Sequence, residues 1–323
     1  MEKSFSTFIH EIQHLRVDSK NGESAPHKPI LLLSIINGIE NGWIKNNAIE
    51  LSPELIEQFK IYWSKLVENR DARIALPFYH LRSAKFWTLI PNEGCELWVE
   101  SKSAMRTISN LKTAVAYAVI DEVLFDFLTK KENRDILKTA IFETYFPKFK
   151  GILNDSDGNS HLKDVTNEIL EETPESYKLK IIELKKQLSE EAFREEVVVR
   201  SALFKREVPK IYNYTCCISG LKIDAAFDIS MIDACHIIPF SFSYNDTIIN
   251  GIPLTPTIHR AFDNGLMSIN DNYHVIVSKQ FKESKSNFSL KQFENQQIIL
   301  PDNSKNYPDL KSLNWHRINK FKL

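Results

Sequence analysis

The sequence predicts an α+β protein in three parts: a mostly helical N-terminal domain with a small β-hairpin or sheet, a helical linker, and a C-terminal β-β-α domain. Three observations predict this class. Near the N-terminus, helical patterns begin and end at prolines, glycines and hydroxyl caps. A charged segment with helical periodicity occupies the middle of the chain, and two short extended runs precede a capped helix near the C-terminus. The predicted parts are residues 1–150, 151–206 and 207–323.

Size and composition are those of an ordinary globular chain. The 323 residues suffice for two domains with their own cores, and 43% apolar with 26% charged residues is typical of such proteins. No apolar signal region opens the chain, and the longest apolar run, at 30–36, is too short to cross a bilayer. The 4 cysteines are scattered rather than arranged as a secreted disulfide framework. We therefore expect a cytoplasmic protein without membrane association.

Helical patterns dominate the predicted N-terminal domain. They cover 5–15, 29–38, 52–66, 111–128 and 135–146. Residues 74–91 interrupt them and predict two extended runs about a turn at 83–85, with a further strand at 97–100.

The predicted linker contains a polar stretch and a charged helix. Residues 154–160 are rich in turn-forming residues, whereas 176–206 are strongly charged with apolar residues at helical intervals. This pattern predicts one long connecting helix. It fits either a spacer or the interface of a homodimer, because two or three turns of apolar spacing do not establish a coiled coil.

Two extended runs and one helix form the predicted β-β-α element. The runs cover 229–238 and 248–254, where β-branched residues favour strands. Thr255 followed by Pro256 predicts a helix start, since a hydroxyl N-cap and a proline at the first helical position both favour initiation. The pair Asn264-Gly265 predicts its end.

A histidine, an asparagine and a second histidine are spaced through this element. Asn250 lies 14 positions after His236, and His259 lies 9 positions after Asn250. His259 and Asp263 are four residues apart on the predicted helix and share a face, so an imidazole and a carboxylate can point at the same place.

Four motif words here resemble the HNH, or ββα-metal, endonucleases: C-x-x-S-G from Cys216, A-x-H-I-x-P around His236, N-G-x-x-L from Asn250 and H-x-x-F-D-x-G from His259. The resemblance implies phosphodiester hydrolysis, which needs an activated water and a cation on the scissile phosphate. It implies His236 as the general base, Asn250 as the residue that fixes this base or its loop, and His259 as a ligand of Mg²⁺ or Mn²⁺.

Cys235 stands where the commonest HNH pattern has an aspartate that contributes to the metal. Asp233 and Asp263 are the candidate carboxylate ligands in its place. Asp233 is two residues earlier on the same strand face, so we expect it to approach the metal only if the strand is locally displaced. Cys216-Cys217 is followed by Ser219-Gly220 where a second thiolate would fall, and no C-x-x-C pair exists elsewhere in the chain, so we do not expect a structural zinc. The cysteines are predicted to be small buried residues.

Two words in the first 150 residues resemble a second family. P-H-K-P-I-L-L-L at 26–33 and L-P-F-Y-H-L-R-S-A-K-F-W at 76–87 resemble the sulfur-binding domain of phosphorothioate-dependent restriction endonucleases. The resemblance implies that double-stranded DNA carrying phosphorothioate is the partner.

Sulfur recognition has a physical basis in apolar side chains. Sulfur is larger and more polarisable than the oxygen it replaces and accepts hydrogen bonds poorly, so an apolar wall disfavours an ordinary phosphate by denying it water. The predicted wall consists of Leu76, Pro77, Phe78 and Tyr79. The predicted contacts to neighbouring phosphates come from His27, Lys28, His80, Arg82, Lys102 and Arg106.

Charge is distributed unevenly along the chain. The formal net charge is −1, but from Lys279 to Leu323 nine Lys and Arg stand against four Asp and Glu, with Trp315 and Phe321 among the last residues. Such a tail fits either contact with phosphates or a solvated surface with two packed aromatics.

Three functions follow from these predictions. The first is a type IV restriction endonuclease that recognises phosphorothioated DNA and cuts it at the HNH site. The second is a type II-like HNH endonuclease that reads unmodified sequence. The third is a DNA-binding protein whose HNH fold is inactive because of Cys235.

Overall fold

Two units organise the chain in the computed structural model, which describes residues 4–16, 19–20, 23–67, 71–101, 103–149, 159–223, 230–284, 286 and 288–322. The first unit comprises Met1–Leu162 and Leu188–Val199, and the second comprises Lys163–Gln187 and Arg200–Leu323. The predicted linker at 151–206 therefore contributes residues to both units. Its residues 151–158 lie outside the described part of the chain.

Helices make up most of the first unit. They are α1 Phe5–Gln13, α2 His27–Glu40, α3 Pro53–Leu66, α4 Ala75–His80, α5 Glu96–Val99, α6 Ile108–Ala114, α7 Glu122–Leu128 and α8 Lys131–Tyr145, with 3₁₀ turns at Leu81–Ser83, Ala104–Arg106 and Pro147–Phe149. The predicted start of α3 is confirmed, because the Ser52 hydroxyl accepts a hydrogen bond from the Leu55 amide at 3.2 Å.

In the described part of this unit, five strands form two sheets. The strands are β1 Ser19–Lys20, β2 Glu23–Ser24, β3 Ala48–Ile49, β4 Trp87–Pro91 and β5 Val115–Ile120. β1 pairs with β2, and β5 lies between β3 and β4 in an antiparallel sheet of order β3-β5-β4. The small sheet predicted for this domain is confirmed.

Three local predictions in the first unit are wrong. The helix predicted over 111–128 is interrupted by β5, whose apolar residues form the central strand instead. The first of the two extended runs predicted at 74–91 is helix α4 followed by a 3₁₀ turn, because Pro77 lies in the first helical turn, where it needs no amide hydrogen. The strand predicted at 97–100 is the single helical turn α5.

The middle of the chain contains three helices rather than one long helix at 176–206. They are α9 Asn159–Glu171, α10 Pro174–Gln187 and α11 Glu190–Ile211. The break between α10 and α11 falls at Ser189, whose hydroxyl accepts a hydrogen bond from the Ala192 amide at 3.4 Å and so caps α11.

The second unit continues with the predicted β-β-α element. Its remaining elements are β6 Asp233–His236, α12 Phe240–Ser243, β7 Gly251–Leu254, α13 Pro256–Asp263, β8 Met267–Ile269, β9 Val275–Val277 and α14 Leu310–Asn319, with 3₁₀ turns at Ile248–Asn250, Leu290–Phe293 and Ser304–Asn306. β6 pairs with β7 and β8 with β9, both antiparallel. Cys216, Cys217 and Cys235 are buried in the apolar core that these elements share. The α+β class is confirmed.

Across the described residues, every helix is too short or too polar to traverse a lipid bilayer.

Candidate active site

The strand pair β6–β7 carries His236 at its end. The register is regular from Asp233 opposite Leu254 to His236 opposite Gly251. Gly251 permits close packing behind this pair, since a Cβ atom there would lie 2.6 Å from Val208 Cγ2 and 2.8 Å from Phe204 Cζ. Helix α11 therefore packs directly against the strand that ends at the histidine.

The His236 ring is held on two sides. Its Nε2 lies 2.7 Å from Oδ1 of Asp246, and its plane stacks on the Phe204 ring with centroids 4.0 Å apart and an angle of 7°. Asp246 is fully buried, whereas the His236 side chain is 19% exposed. The arrangement leaves a fixed imidazole with partial access to solvent.

Asn250 fixes the loop that follows His236. Its side-chain oxygen accepts a hydrogen bond from the Ile238 amide at 3.0 Å, and its side-chain nitrogen donates to the carbonyls of Ile238 and Asn245 at 3.0 and 2.9 Å. The Asn250 side chain is fully buried, and it bonds backbone groups on both sides of the loop. Of the two roles predicted for Asn250, these contacts belong to the one that holds the loop.

His259, on α13, lies between two carboxylates. Its Nδ1 is 3.2 Å from Asp233 Oδ2, and its Nε2 is 3.4 Å from Asp263 Oδ2. The predicted helix start at Thr255-Pro256 positions it, with the proline at the first helical position. Asp233 reaches His259 from a regularly paired strand, so the local displacement expected for this residue does not occur.

Cys235 joins this group from the same face of β6. Its Sγ lies 3.9 Å from Asp263 Oδ1, and one donor atom each from Cys235, His259 and Asp263 lie within 4.8 Å of one another. Burial raises the pKa of the Cys235 thiol well above its usual range, and the nearby Asp263 carboxylate raises it further. Carboxylate oxygen and imidazole nitrogen are ligands for Mg²⁺ and Mn²⁺, whereas a buried thiol whose pKa is raised stays protonated and is a poor ligand for these ions. His259, Asp263 and Asp233 are therefore the side chains here that fit such an ion.

Sequence reasoning missed two contacts of His236. Asp246 lies in a loop with no periodic pattern, and Phe204 lies on a helix far from the motif words. An acidic residue within ten positions of a candidate base is a weak signal by itself. Only the fold shows that the chain returns to place this carboxylate on the imidazole.

The basic C-terminal segment is largely folded onto the second unit. Arg317 donates to the Ile269 carbonyl and pairs with Asp271. His316 is buried, with Nδ1 2.9 Å from the Ser268 hydroxyl and Nε2 3.1 Å from the Phe262 carbonyl. Burial lowers the pKa of His316 to about 4. These residues support α13 rather than projecting as a free tail.

Lys28, in the first unit, is one of the residues predicted to contact phosphates, and it is buried. Its ammonium donates to the Arg16 carbonyl at 2.6 Å and to the Ser83 hydroxyl at 2.9 Å, which ties the start of α2 to the turn after α4. Arg82, in that turn, places its guanidinium 4.3 Å from the centre of the Tyr79 ring and 3.4 Å from Glu100. Two of the predicted basic residues therefore border one turn.

The other predicted DNA-binding residues differ in burial. Phe78 and Tyr79 belong to the core, where the Tyr79 hydroxyl donates to the Val99 carbonyl at 2.6 Å. Pro77 is also buried, Leu76 and His27 are half-buried, and His80 and Arg106 are exposed. Lys102 lies outside the described residues.

The ββα element that carries His236, Asn250 and His259 has the arrangement expected of an HNH domain. In agreement, residues 216–270 match the HNH endonuclease family. Residues 5–156 match the family described as the ScoMcrA-like DNA sulfur-binding domain. The two resemblances predicted from the motif words are confirmed, and the chain combines a sulfur-binding domain with an HNH domain.

Two solved structures show partial similarity to the chain. One is "Modification dependent TagI restriction endonuclease", with 25% identity, coverage of 37% of this chain and 38% of that one, and a TM-score of 0.27. The other is "Sulfur binding domain of SprMcrA complexed with phosphorothioated DNA", with 19% identity, coverage of 45% and 86%, and a TM-score of 0.36. The chain thus spans 38% of the length of the first. No curated protein matches the chain.

Proposed function

We propose that this protein is a modification-dependent restriction endonuclease: the first unit binds phosphorothioated double-stranded DNA, and the HNH site hydrolyses its phosphodiester bonds with a divalent metal. The observation that carries the proposal is the placement of His259 between Asp233 and Asp263, at 3.2 and 3.4 Å, on a ββα element that also holds His236. The sulfur-binding and HNH families matched by the chain supply the substrate class and the reaction class.

His236 has the position and chemistry of a general base. It is fixed by Asp246 and Phe204, partly exposed, and of a residue type that accepts protons near neutral pH. In the proposed step it takes the proton of a water molecule as that water forms a new P–O bond. The bond from phosphorus to the 3′ oxygen breaks.

A divalent ion held by His259 and Asp263 would stabilise the negative charge that develops on the phosphate oxygens and the leaving oxygen. Asp233 accepts a hydrogen bond from Nδ1 of His259 in this proposal, which orients the ring and leaves Nε2 toward Asp263. This role differs from direct ligation, which remains the prediction made from the sequence.

The first unit contributes basic and apolar groups around one turn. Lys28 and Arg82 border the turn at 81–83, and Arg82 is held by the Tyr79 ring beneath it. Half-buried Leu76 lies on the short helix before the turn. We assign phosphate contact to Arg82, whereas Lys28 is buried, donates its ammonium hydrogens to Arg16 and Ser83, and holds the turn in place. We assign sulfur contact to Leu76, because charge holds any phosphate whereas an apolar surface tolerates sulfur better than oxygen.

Cleavage of matched plasmids with and without phosphorothioate, in Mg²⁺ and in Mn²⁺, tests the proposal. We expect cleavage of the modified plasmid only and loss of cleavage with a chelator. Equal cleavage of both plasmids would favour the type II-like alternative. Binding without cleavage in either metal would favour a DNA-binding protein with an inactive HNH fold.

A further inference from the structure

One ring nitrogen of His236 pairs with a buried carboxylate. Its Nε2 lies 2.7 Å from Asp246 Oδ1, and its Nδ1 has no hydrogen-bond partner among the described residues. The side chain is 19% exposed, so solvent can reach part of the ring. A neutral imidazole carries its proton on one nitrogen and a lone pair on the other, and the partner of one nitrogen selects the tautomer.

Asp246 needs hydrogen-bond donors from the protein because it is buried. Its side chain is fully buried, and its second oxygen, Oδ2, has no hydrogen-bond partner in the part of the chain that the structure describes. A carboxylate removed from water requires donated hydrogens. The N–H of His236 is the donor that the fold supplies at Oδ1, so the carboxylate favours a proton on Nε2.

We propose that Asp246 is a positioning residue of the nuclease: it holds the Nε2 hydrogen of His236, so that Nδ1 is the atom that accepts the proton from the attacking water. The proposal rests on the proposed nuclease function of the HNH site. It assigns a role to a residue outside the His, Asn, His pattern and specifies which nitrogen reacts.

Three further contacts keep this pair in place. Phe204 covers one face of the imidazole at 4.0 Å, which leaves the ring little freedom to flip. The loop between the two partners is pinned by Asn250, which binds the carbonyls of Ile238 and Asn245. Asn245 directly precedes the carboxylate in sequence. The carboxylate and the imidazole are therefore positioned by separate contacts that converge on one hydrogen bond.

Tyr177, on helix α10, lies close enough to Asp246 to interact with its charge. The Asp246 charge is close enough to Tyr177 to contribute to the raised pKa of that buried phenol, after burial itself. Arg200, on α11, lies with its guanidinium 5.5 Å from the Tyr177 ring and pairs with Glu168 at 2.7 Å. These helices lie outside the residues matched to the HNH family, 216–270, yet they form the surroundings of the proposed base and its partner.

The tautomer of His236 in the full-length parent protein is the decisive measurement. Two-bond ¹H–¹⁵N correlation spectra of metal-free, ¹⁵N-histidine-labelled protein at mildly alkaline pH distinguish a proton on Nε2 from one on Nδ1. The His236 signals are identified by their absence in His236→Ala. We expect the Nε2–H form, and a proton on Nδ1 in the parent overturns the proposal without reference to any variant at Asp246.

Kinetics of Asp246→Asn give the second measurement. An amide at this position can donate to Nε2 and reverse the tautomer, so we expect kcat to fall on the order of 10²-fold or more while KM for DNA changes less than about twofold. The control is Asp271→Asn, the same chemical change at a carboxylate that pairs with Arg317 away from the site, which should cut at the parental rate. Thermal unfolding of both variants separates loss of the base from loss of the fold.

The outcomes separate this inference from the function on which it rests. Parental cleavage by His236→Ala contradicts the proposed nuclease site itself. An inactive His236→Ala together with a fully active Asp246→Asn contradicts only the role of Asp246. If Asp246→Asn does not fold, the tautomer of the parent still decides.

Discussion

His236 and His259 are both imidazoles, and the different tasks that we propose for them should be separable by substitution. His236→Ala removes the proposed base, so we expect the cleavage rate to fall by about 10² to 10⁴ with DNA binding nearly unchanged. His259→Ala removes a proposed metal ligand, so part of its activity should return at high Mn²⁺. Cleavage rates across a Mn²⁺ titration make the comparison.

Asp233→Asn belongs in the same titration. If Asp233 orients His259 through the 3.2 Å contact, its loss should weaken apparent metal affinity less than His259→Ala does. If it ligates directly, the two variants should behave alike. If Mn²⁺ rescued His236→Ala, or if this variant cut at the parental rate, the assignment of His236 as the base would be contradicted.

His316 should make the stability of the second unit depend on pH. Burial lowers its pKa to about 4, whereas an unfolded histidine titrates near 6.5. Between these values the unfolded chain binds a proton that the folded chain does not. The contribution of neutral His316 to the free energy of unfolding is therefore complete above about pH 6.5. It is lost as the pH falls toward 4, and the total loss is about 3 kcal/mol.

Denaturant unfolding of the parent, His316→Gln and His274→Gln at pH 7 and pH 5 measures this contribution. We expect a smaller loss of unfolding free energy on acidification in His316→Gln than in the parent. His274→Gln controls for the substitution itself. An unchanged pH dependence in His316→Gln would show that the buried imidazole is not the group responsible.

The contact between α11 and β7 should be intolerant of a single methyl group. In Gly251→Ala the new Cβ would meet Val208 Cγ2 at 2.6 Å and the Phe204 ring at 2.8 Å, closer than real Cβ atoms approach other atoms. We expect a loss of about 1 to 3 kcal/mol in unfolding free energy. Because Phe204 also stacks on His236, the cleavage rate should fall as well.

A double-mutant cycle with Val208→Ala tests this steric explanation. Removing the Val208 methyl groups should make the Gly251→Ala change less costly than it is alone. Additive losses, or a Gly251→Ala protein as stable as the parent, would argue against close packing at this point.

Elements with local signals were predictable from the sequence, and those decided by distant partners were not. Ser52 before Pro53 and Thr255 before Pro256 are local signals for a helix start, and both helices begin there, although only the Ser52 hydroxyl forms the cap hydrogen bond. The run at 115–120 is apolar enough for helix or strand, and its pairing with β3 and β4 decides for strand. Likewise, the two imidazoles follow from motif spacing, whereas Asp246 reaches His236 only through the folded loop.

The chain as a whole should discriminate sulfur without cutting once the base is removed. We expect full-length His236→Ala to bind a phosphorothioated duplex more tightly than the same duplex without sulfur at matched salt, since salt alone changes phosphate binding steeply. Arg82→Ala should weaken both complexes, whereas Lys131→Ala, an exposed lysine on α8, should change neither. Equal affinity for the two duplexes would contradict sulfur recognition and leave the nuclease proposal intact.

Double-strand cleavage imposes a requirement on assembly. One HNH site hydrolyses one strand, so a concerted double-strand break requires two sites, and we expect the protein to act as a homodimer on DNA. Sedimentation of the His236→Ala protein with and without a modified duplex measures its state. A monomer in both conditions, combined with concerted double-strand breaks by the parent, would contradict this expectation.

The alternation of the two units along the chain bears on how such a protein can change its specificity. The polypeptide passes from the first unit to the second after Leu162, returns at Leu188, and leaves again after Val199. A single recombination joint after Leu162 would therefore exchange most of the first unit but separate it from its own residues 188–199. In that segment the Glu195 carboxylate accepts a hydrogen bond from the Ile74 amide at 3.2 Å, and Glu196 pairs with Lys60. A new recognition unit would have to bring its version of this segment, so we expect the two units to be inherited together rather than exchanged as separate modules.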